Sequence, residues 1–325
     1  MSSHPSAWVG SAESVSQPPS DRDYLIDRGF RSFAVLAAVV LLALVAYMVW
    51  KIGWKAYPAI REYQLAFLVS TDWNVQENKF GILPAIWGTL YSSLLALVVG
   101  GFFGLTIAIF LTQDFVHKRL AFTLRLVIEM LAAIPSVVFG LWGIFVVIPH
   151  IRPVANWLNE TLGFIPFFQT SLSGPGLLPA AIVLAIMILP TVAAISQDAL
   201  NSVPYRTKEA AYGMGATRWK VILRVMVPTA AGGIFSAMVL GLGRALGETM
   251  ALAMLIGNSN QVTLSLFAPA ETLAALLASH FPEAGPVETE ALMYAALVLL
   301  AIALLVNIAG VALLSVTQRK ISGKV

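Results

Sequence analysis

A guanidinium and a carboxylate stand four residues apart inside an apolar run, Arg244 and Glu248 of Gly241-Leu-Gly-Arg-Ala-Leu-Gly-Glu-Thr-Met-Ala251. On a continuous helix, residues four apart share a face, so the two side chains are expected side by side. A charge at the centre of a membrane helix costs about 2.5–3.5 kcal/mol even on the mildest insertion scale, so the pair needs a reason. Two readings stand. The pair neutralises itself and holds a helix bundle in register, or it is a polar station on a path through the membrane. An apolar pair would serve packing at lower cost, which favours the station. Arginine offers a planar fork of donors that never deprotonates, suited to an oxyanion such as phosphate or sulfate. A nearby carboxylate repels a fully deprotonated anion but accepts a hydrogen bond from one that still carries protons. The combination suits hydrogen phosphate better than sulfate.

Membrane-crossing helices must position this pair. Apolar residues make up 58% of the 325-residue chain and charged residues 11%, with a mean hydropathy of +0.81. Soluble domains are less apolar and far more charged. The net charge of +3 is small and the basic residues lie in loops, which argues against a nucleic-acid surface. The absence of cysteine excludes disulfides, thiolate metal sites and cysteine nucleophiles. No phosphate-binding Gly-x-x-x-x-Gly-Lys-[Ser/Thr] loop occurs, and His4, His117, His150 and His280 are scattered without ligand spacing. The chain is therefore read as a transport protein rather than an enzyme, with no catalytic or metal residue, no cofactor bound by the chain and no energy source of its own.

Hydropathy predicts an all-α, polytopic protein with six spans near 33–50, 84–112, 119–148, 175–200, 228–257 and 291–317. Residues 1–30 read as a disordered polar tail, 31–320 as the membrane domain and 321–325 as a short C-terminal end. Arg244 is expected ~24 Å along a straight fifth helix from Pro228. Arg125, with Glu129 one turn on, is expected as a partnered interfacial pair at the start of the third span. Gly100/Gly104/Ala108 and Gly243/Gly247 recur four apart, which suits close helix contact within the bundle or with another subunit. Thirteen Lys/Arg fall on the side holding both termini, against five on the other, so both ends are predicted in the cytoplasm. The external connection 258–290 carries no Lys or Arg and is either a docking or gating surface or an ordinary connection.

Five of the thirteen (Arg206, Lys208, Arg218, Lys220 and Arg224) crowd between Pro204 and Pro228, a cytoplasmic loop long enough for two short helices. Within it, Glu209-Ala210-Ala211, then Gly215, then Val225-Met226-Val227-Pro228 match in spacing the EAA loop of ABC-importer permeases. The usual Ile-x-Leu-Pro ending is here Val-x-Val-Pro. Ile134-Pro-Ser-Val-Val-Phe-Gly-Leu-Trp-Gly143, Met187-Ile-Leu-Pro190 and Gly243-Arg-Ala-Leu-Gly-Glu-Thr-Met-Ala251 resemble the permease of phosphate importers, nearer its C than its A subunit. Sulfate and molybdate permeases share the Arg-Ala-x-Gly-Glu core but typically lack the Thr-Met-Ala that follows. The resemblance covers roughly residues 30–320.

What the resemblance implies is half of a type I ABC importer in the inner membrane, working by alternating access. A sister permease subunit would complete the path, two cytoplasmic ATPase subunits would use ATP and Mg, and an external phosphate-binding protein or lipoprotein would deliver the anion. Glu209, Ala210, Ala211, Gly215, Arg218 and Pro228 would belong to the loop 201–227 that the ATPases grip and its junction with the fifth helix. Arg244 and Glu248 would line the substrate path. A permease for sulfate or molybdate and a passive anion channel are the alternatives.

Overall fold

Long apolar runs broken by proline and glycine dictate an almost wholly helical chain, and a computed structural model describes residues 21–113 and 115–322 of it. Helix α1 (Asp21–Tyr63) already includes residues 21–30 of the expected tail, while residues 1–20 and 323–325 lie outside the described residues. The part of α1 up to Lys51 is a unit of its own, with Phe33, Leu36, Val40 and Leu41 exposed, as suits a helix in lipid. Residues from Ile52 onward form the second unit. After a short antiparallel pairing of β1 (Trp73–Asn74) with β2 (Lys79–Phe80) comes α2 (Leu83–Thr112). Then follow α3 (Lys118–Ala133), α4 (Ser136–Leu162), α5 (Leu177–Asn201), α6 (Tyr205–Gly213) and α7 (Arg218–Thr229). The chain closes with α8 (Ala231–Leu246), α9 (Met250–Leu255), α10 (Leu273–His280) and α11 (Pro286–Ser322). Among the described residues, five helices are long and apolar enough to cross a membrane, or six when the bent pair α7–α8 counts as one.

Two of the expected spans are corrected. The third does not run through 119–148. Ile134 is extended (φ −69°, ψ 129°), as the residue before a proline must be, and ends α3 after 16 residues. The spanning helix is instead α4, which includes a π-helical turn at Gly143–Val147. The fifth is not a straight helix over 228–257. Helices α7 and α8 meet at Ala230 with a bend of 69°. A π-helical turn at Ile222–Met226 precedes the bend, and Pro228 has no N–H to return to the Arg224 carbonyl. Thr229 Oγ1 donates to the Val225 carbonyl (2.6 Å), so part of the disrupted ladder is re-satisfied.

The core is the seam between α2 and α5, which run side by side. A Cβ on Gly100 would lie 2.6 Å from the Ala185 carbonyl oxygen, and one on Gly104 3.0 Å from Val192. These glycines therefore serve the chain's own bundle. On α8, Gly241 packs on Val192 of α5 and Gly243 faces Asn307 of α11, whereas Gly247 has no neighbour nearer than 3.8 Å. The two members of the Gly243/Gly247 pair thus do different things. Buried Val183, Leu184, Ile188, Leu252 and Leu255 fill the space between α5 and α9.

Candidate functional site

The helix that carries Arg244 ends two residues beyond it. Helix α8 ends at Leu246, Gly247 and Glu248 form the joint, and α9 starts at Met250. Residues four apart share a face only on an unbroken helix, so the expected Arg244–Glu248 ion pair is not formed. Glu248 turns instead to its own downstream helix, where its Oε1 accepts from Ala251 N (3.3 Å) in the first turn of α9. Arg244 Nη1 donates to Thr191 Oγ1 on α5 (3.1 Å), and the side chain is exposed on the chain's surface. Among the described residues no carboxylate pairs with it. A neutral hydroxyl orients the guanidinium without cancelling its charge, so most of its donor fork stays open to an anion.

Sequence reasoning missed Thr191, because a partner from another helix leaves no periodic trace. The signal available was its position directly after Pro190, in the middle of an apolar helix, where the Ile186 carbonyl loses its usual donor. Arg125 was also misjudged. Neither Glu129 nor any other carboxylate among the described residues pairs with it. With the Gln197 amide oriented as its neighbours require, Gln197 Oε1 accepts from Arg125 Nη2 (2.6 Å) and Nε (3.0 Å).

The basic loop forms the predicted two helices, α6 and α7, joined at Gly215. Gly215 has φ +80°, a left-handed conformation that L side chains resist, while its position is otherwise open space. Its N–H donates to the Tyr212 carbonyl (2.9 Å) and that of Ala216 to Ala211 (3.1 Å), closing the end of α6. Ala211 is buried with Ala108, Val221, Ile222 and Met226, so a larger side chain would not fit. Glu209 and Ala210 face outward, as do Gly215, Arg218 and Pro228. The Arg218 guanidinium stacks on Phe115, 4.0 Å from the ring centre, and Phe115 packs on Trp219. A cleft of about 290 Å³ lies between the end of α2 and this turn, lined by Gln113, Tyr205, Lys208, Glu209, Tyr212 and Arg218. Tyr205 and Met214 are 71% and 84% exposed, two large side chains standing on a charged surface.

The connection 258–290 is not a loose loop. It folds back on α9, with Ala270 N donating to Ile256 O (2.9 Å), and buries Leu273, Ala275 and Leu276 of α10. Glu271 is 2% exposed, and burial pushes its carboxyl up to about 7 against the partial relief of the Thr272 N–H. Glu288, buried at the start of α11, accepts from Trp73 Nε1 (3.3 Å) and meets His280 Nδ1 (3.0 Å). These contacts tie β1, α10 and α11 together. The described histidines otherwise make local contacts, His150 to Val146 O and His117 to Arg119 N.

Residues 100–323 match the family described as Binding-protein-dependent transport system inner membrane component. The chain is 39% identical over 291 residues to the Phosphate transport system permease protein PstC of Haemophilus influenzae, covering 87% of this chain and 91% of that protein. It is 38% identical over 288 residues to the protein of the same name from Mesorhizobium japonicum, with 87% and 88% covered. A solved bacterial alginate ABC transporter, in complex with alginate pentasaccharide-bound periplasmic protein, has a similar fold. That match has a TM-score of 0.59 and 17% identity, over 88% of this chain and 94% of the other.

Proposed function

Because the chain belongs to the binding-protein-dependent transport system inner membrane component family, we propose that it is one permease subunit of an ATP-driven importer whose cargo is inorganic phosphate. The observation that carries the reading is Arg244, a charged fork held on α5 by the hydroxyl of Thr191, with no carboxylate among the described residues paired to it. The names of the curated relatives support phosphate as the anion. Arg244 takes the deprotonated oxygens. Glu248 sits across the joint at Gly247 with one carboxylate oxygen on Ala251 N, which leaves the other to accept from a protonated phosphate oxygen. Sulfate carries no such proton at neutral pH, so this arrangement favours phosphate.

The remaining parts follow from the same reading. A sister permease lines the other half of the path, which accounts for an exposed arginine in a membrane segment. Two ATPase subunits, which hydrolyse ATP with Mg, hold the turn at Gly215 by Glu209 and the exposed faces of Tyr205 and Met214. Ala211 and Arg218 fix that turn to α2, α7 and Phe115, so force on it reaches Pro228 and α8. An external binding protein delivers phosphate, and the excess of Lys/Arg supports both termini lying in the cytoplasm. ATP binding closes the ATPases and turns the path outward; hydrolysis resets it.

The test is ATP hydrolysis by the reconstituted complex, stimulated by binding protein loaded with phosphate or with sulfate. Stimulation by phosphate alone is expected. Equal or greater stimulation by sulfate or molybdate would overturn the cargo, and phosphate flux without ATP would overturn the importer.

A further inference from the structure

Helix α5 receives two arginines, not one. Arg244 reaches Thr191 from α8, and Arg125 reaches Gln197 from α3. The two contact points are ~9 Å apart along α5 and ~120° apart around it, from six residues at 1.5 Å and 100° each. In the sector between them, Ala194 and Asp198 are exposed. That strip of α5 is thus uncovered, with one guanidinium hydrogen-bonded at each edge of it. The deeper of the two is at Thr191; the other lies ~6 Å from the Asn201 end, near the basic turn.

Both arginines are held by neutral acceptors. Gln197 grips Arg125 through Nη2 and Nε, which fixes the plane of the guanidinium and leaves Nη1 and the charge available. Two carboxylates stand close in sequence, Glu129 one turn along α3 and Asp198 beside Gln197, and neither forms an ion pair with Arg125. Had Arg125 served only to fasten α3 to α5, an acid at 197 would fasten it more strongly. An amide positions without neutralising. A path with a single strong anion site releases its cargo slowly, whereas a second site of the same sign nearby lets the anion move on.

From this geometry we infer that Arg125 is a second oxyanion-binding residue, which takes phosphate from the Arg244 level toward the Asn201 end of α5, with Gln197 as its positioning residue. This rests on the reading of Arg244 as the central station.

The chain contains no cysteine, which makes a charge-restoration test direct. The whole importer carrying Arg125→Cys is assayed for phosphate uptake, with the unsubstituted importer as control for thiols in the partners. Treatment with an aminoethyl thiosulfonate, which returns a positive charge, should restore uptake; the neutral methyl reagent should not. Inorganic phosphate should slow the reaction of the thiol. Arg125→Gln should lower the maximal uptake rate about tenfold, the loss of one charge-assisted contact, with KM for external phosphate little changed. Arg125→Lys should retain most of the rate, and Gln197→Leu should lose about threefold. A merely structural link predicts the reverse order: Gln197→Leu as damaging as Arg125→Gln, no rescue by Lys or by the cationic reagent, and no protection by phosphate. That outcome overturns the second station. Arg244→Gln measured alongside separates the two readings. If it is silent, the central station fails and the two-station path with it; if it is defective while the Arg125 series follows the structural order, the second station alone fails.

Discussion

The turn at Gly215 and the joint at Gly247 both interrupt helices at a glycine, yet they are built from opposite materials. At Gly215 the backbone itself sets the geometry, with φ +80°, two closing N–H bonds and Ala211 buried against Val221, Ile222 and Met226. Of the charges there, Glu209 points outward without an ion-pair partner among the described residues, while Arg218 stacks on Phe115. At Gly247 the backbone is ordinary (φ −95°), and polar side chains, Arg244 on Thr191 and Glu248 on Ala251 N, bridge the joint beside its backbone bond from Glu248 N to Ala245 O. A turn made of backbone and apolar packing transmits a load without changing shape. A joint made of exchangeable hydrogen bonds can trade its partners for those of a passing anion. The first suits a handle and the second a binding site.

The contrast can be broken most severely at the turn. Gly215→Pro requires a φ that proline cannot adopt and deletes the bond to Tyr212, and Glu209→Lys reverses an exposed charge. Either should abolish phosphate uptake with the chain still present in the membrane fraction; normal uptake would show that the turn carries no load. The next effect lies beyond the joint, where α9 leads to the connection holding Glu271. Burial raises its carboxyl from 4.5 to about 7, so the packed group keeps its proton across the range between the two. The sign follows: the packed state keeps a proton that the unfolded chain releases, so stability is full below about 4.5 and is lost as pH rises toward 7. The loss approaches ~3 kcal/mol as an upper figure. Thermal melts of the purified complex from pH 4.5 to 8 should show this slope, and Glu271→Gln should flatten it.

At the joint, Arg244→Gln should reduce uptake at least tenfold, about 1.4 kcal/mol, and Arg244→Lys less, since the charge survives but the fork does not. Initial uptake rates check this, and unchanged rates would remove the binding role. The finest comparison sets one methyl group in each glycine. Gly215→Ala should cost about 1–2 kcal/mol from the left-handed backbone. Gly247→Ala, where the added Cβ would meet only ordinary contacts at 3.8 Å or more and φ is ordinary, should cost under about 0.5 kcal/mol. Equal shifts in melting temperature would erase the distinction between the two.

Much of this was legible because it is local. Gly215 and Pro228 act through their own backbone, and the positive turn and the apolar runs are matters of composition. The failures were failures of continuity. Hydropathy does not register that Pro135 forces Ile134 out of the helix, so α3 and the start of α4 read as one span. Helical periodicity placed Glu248 beside Arg244 because it assumes no break at Gly247. The holders of the two arginines, Thr191 and Gln197, lie on a helix far away in sequence, where no spacing rule reaches. Small-residue spacing likewise left Gly100 and Gly104 undecided until Ala185 and Val192 were found against them.

The bend at Ala230 acts as a bell crank. With 69° between α7 and α8, a displacement of α7 along its own length arrives at α8 chiefly as a sideways sweep. Arg244, some 20 Å out along α8 by helix rise, rides on the far arm of that crank. On the importer reading, a small stroke at the basic turn would shift the guanidinium sideways, across rather than along the axis of α8.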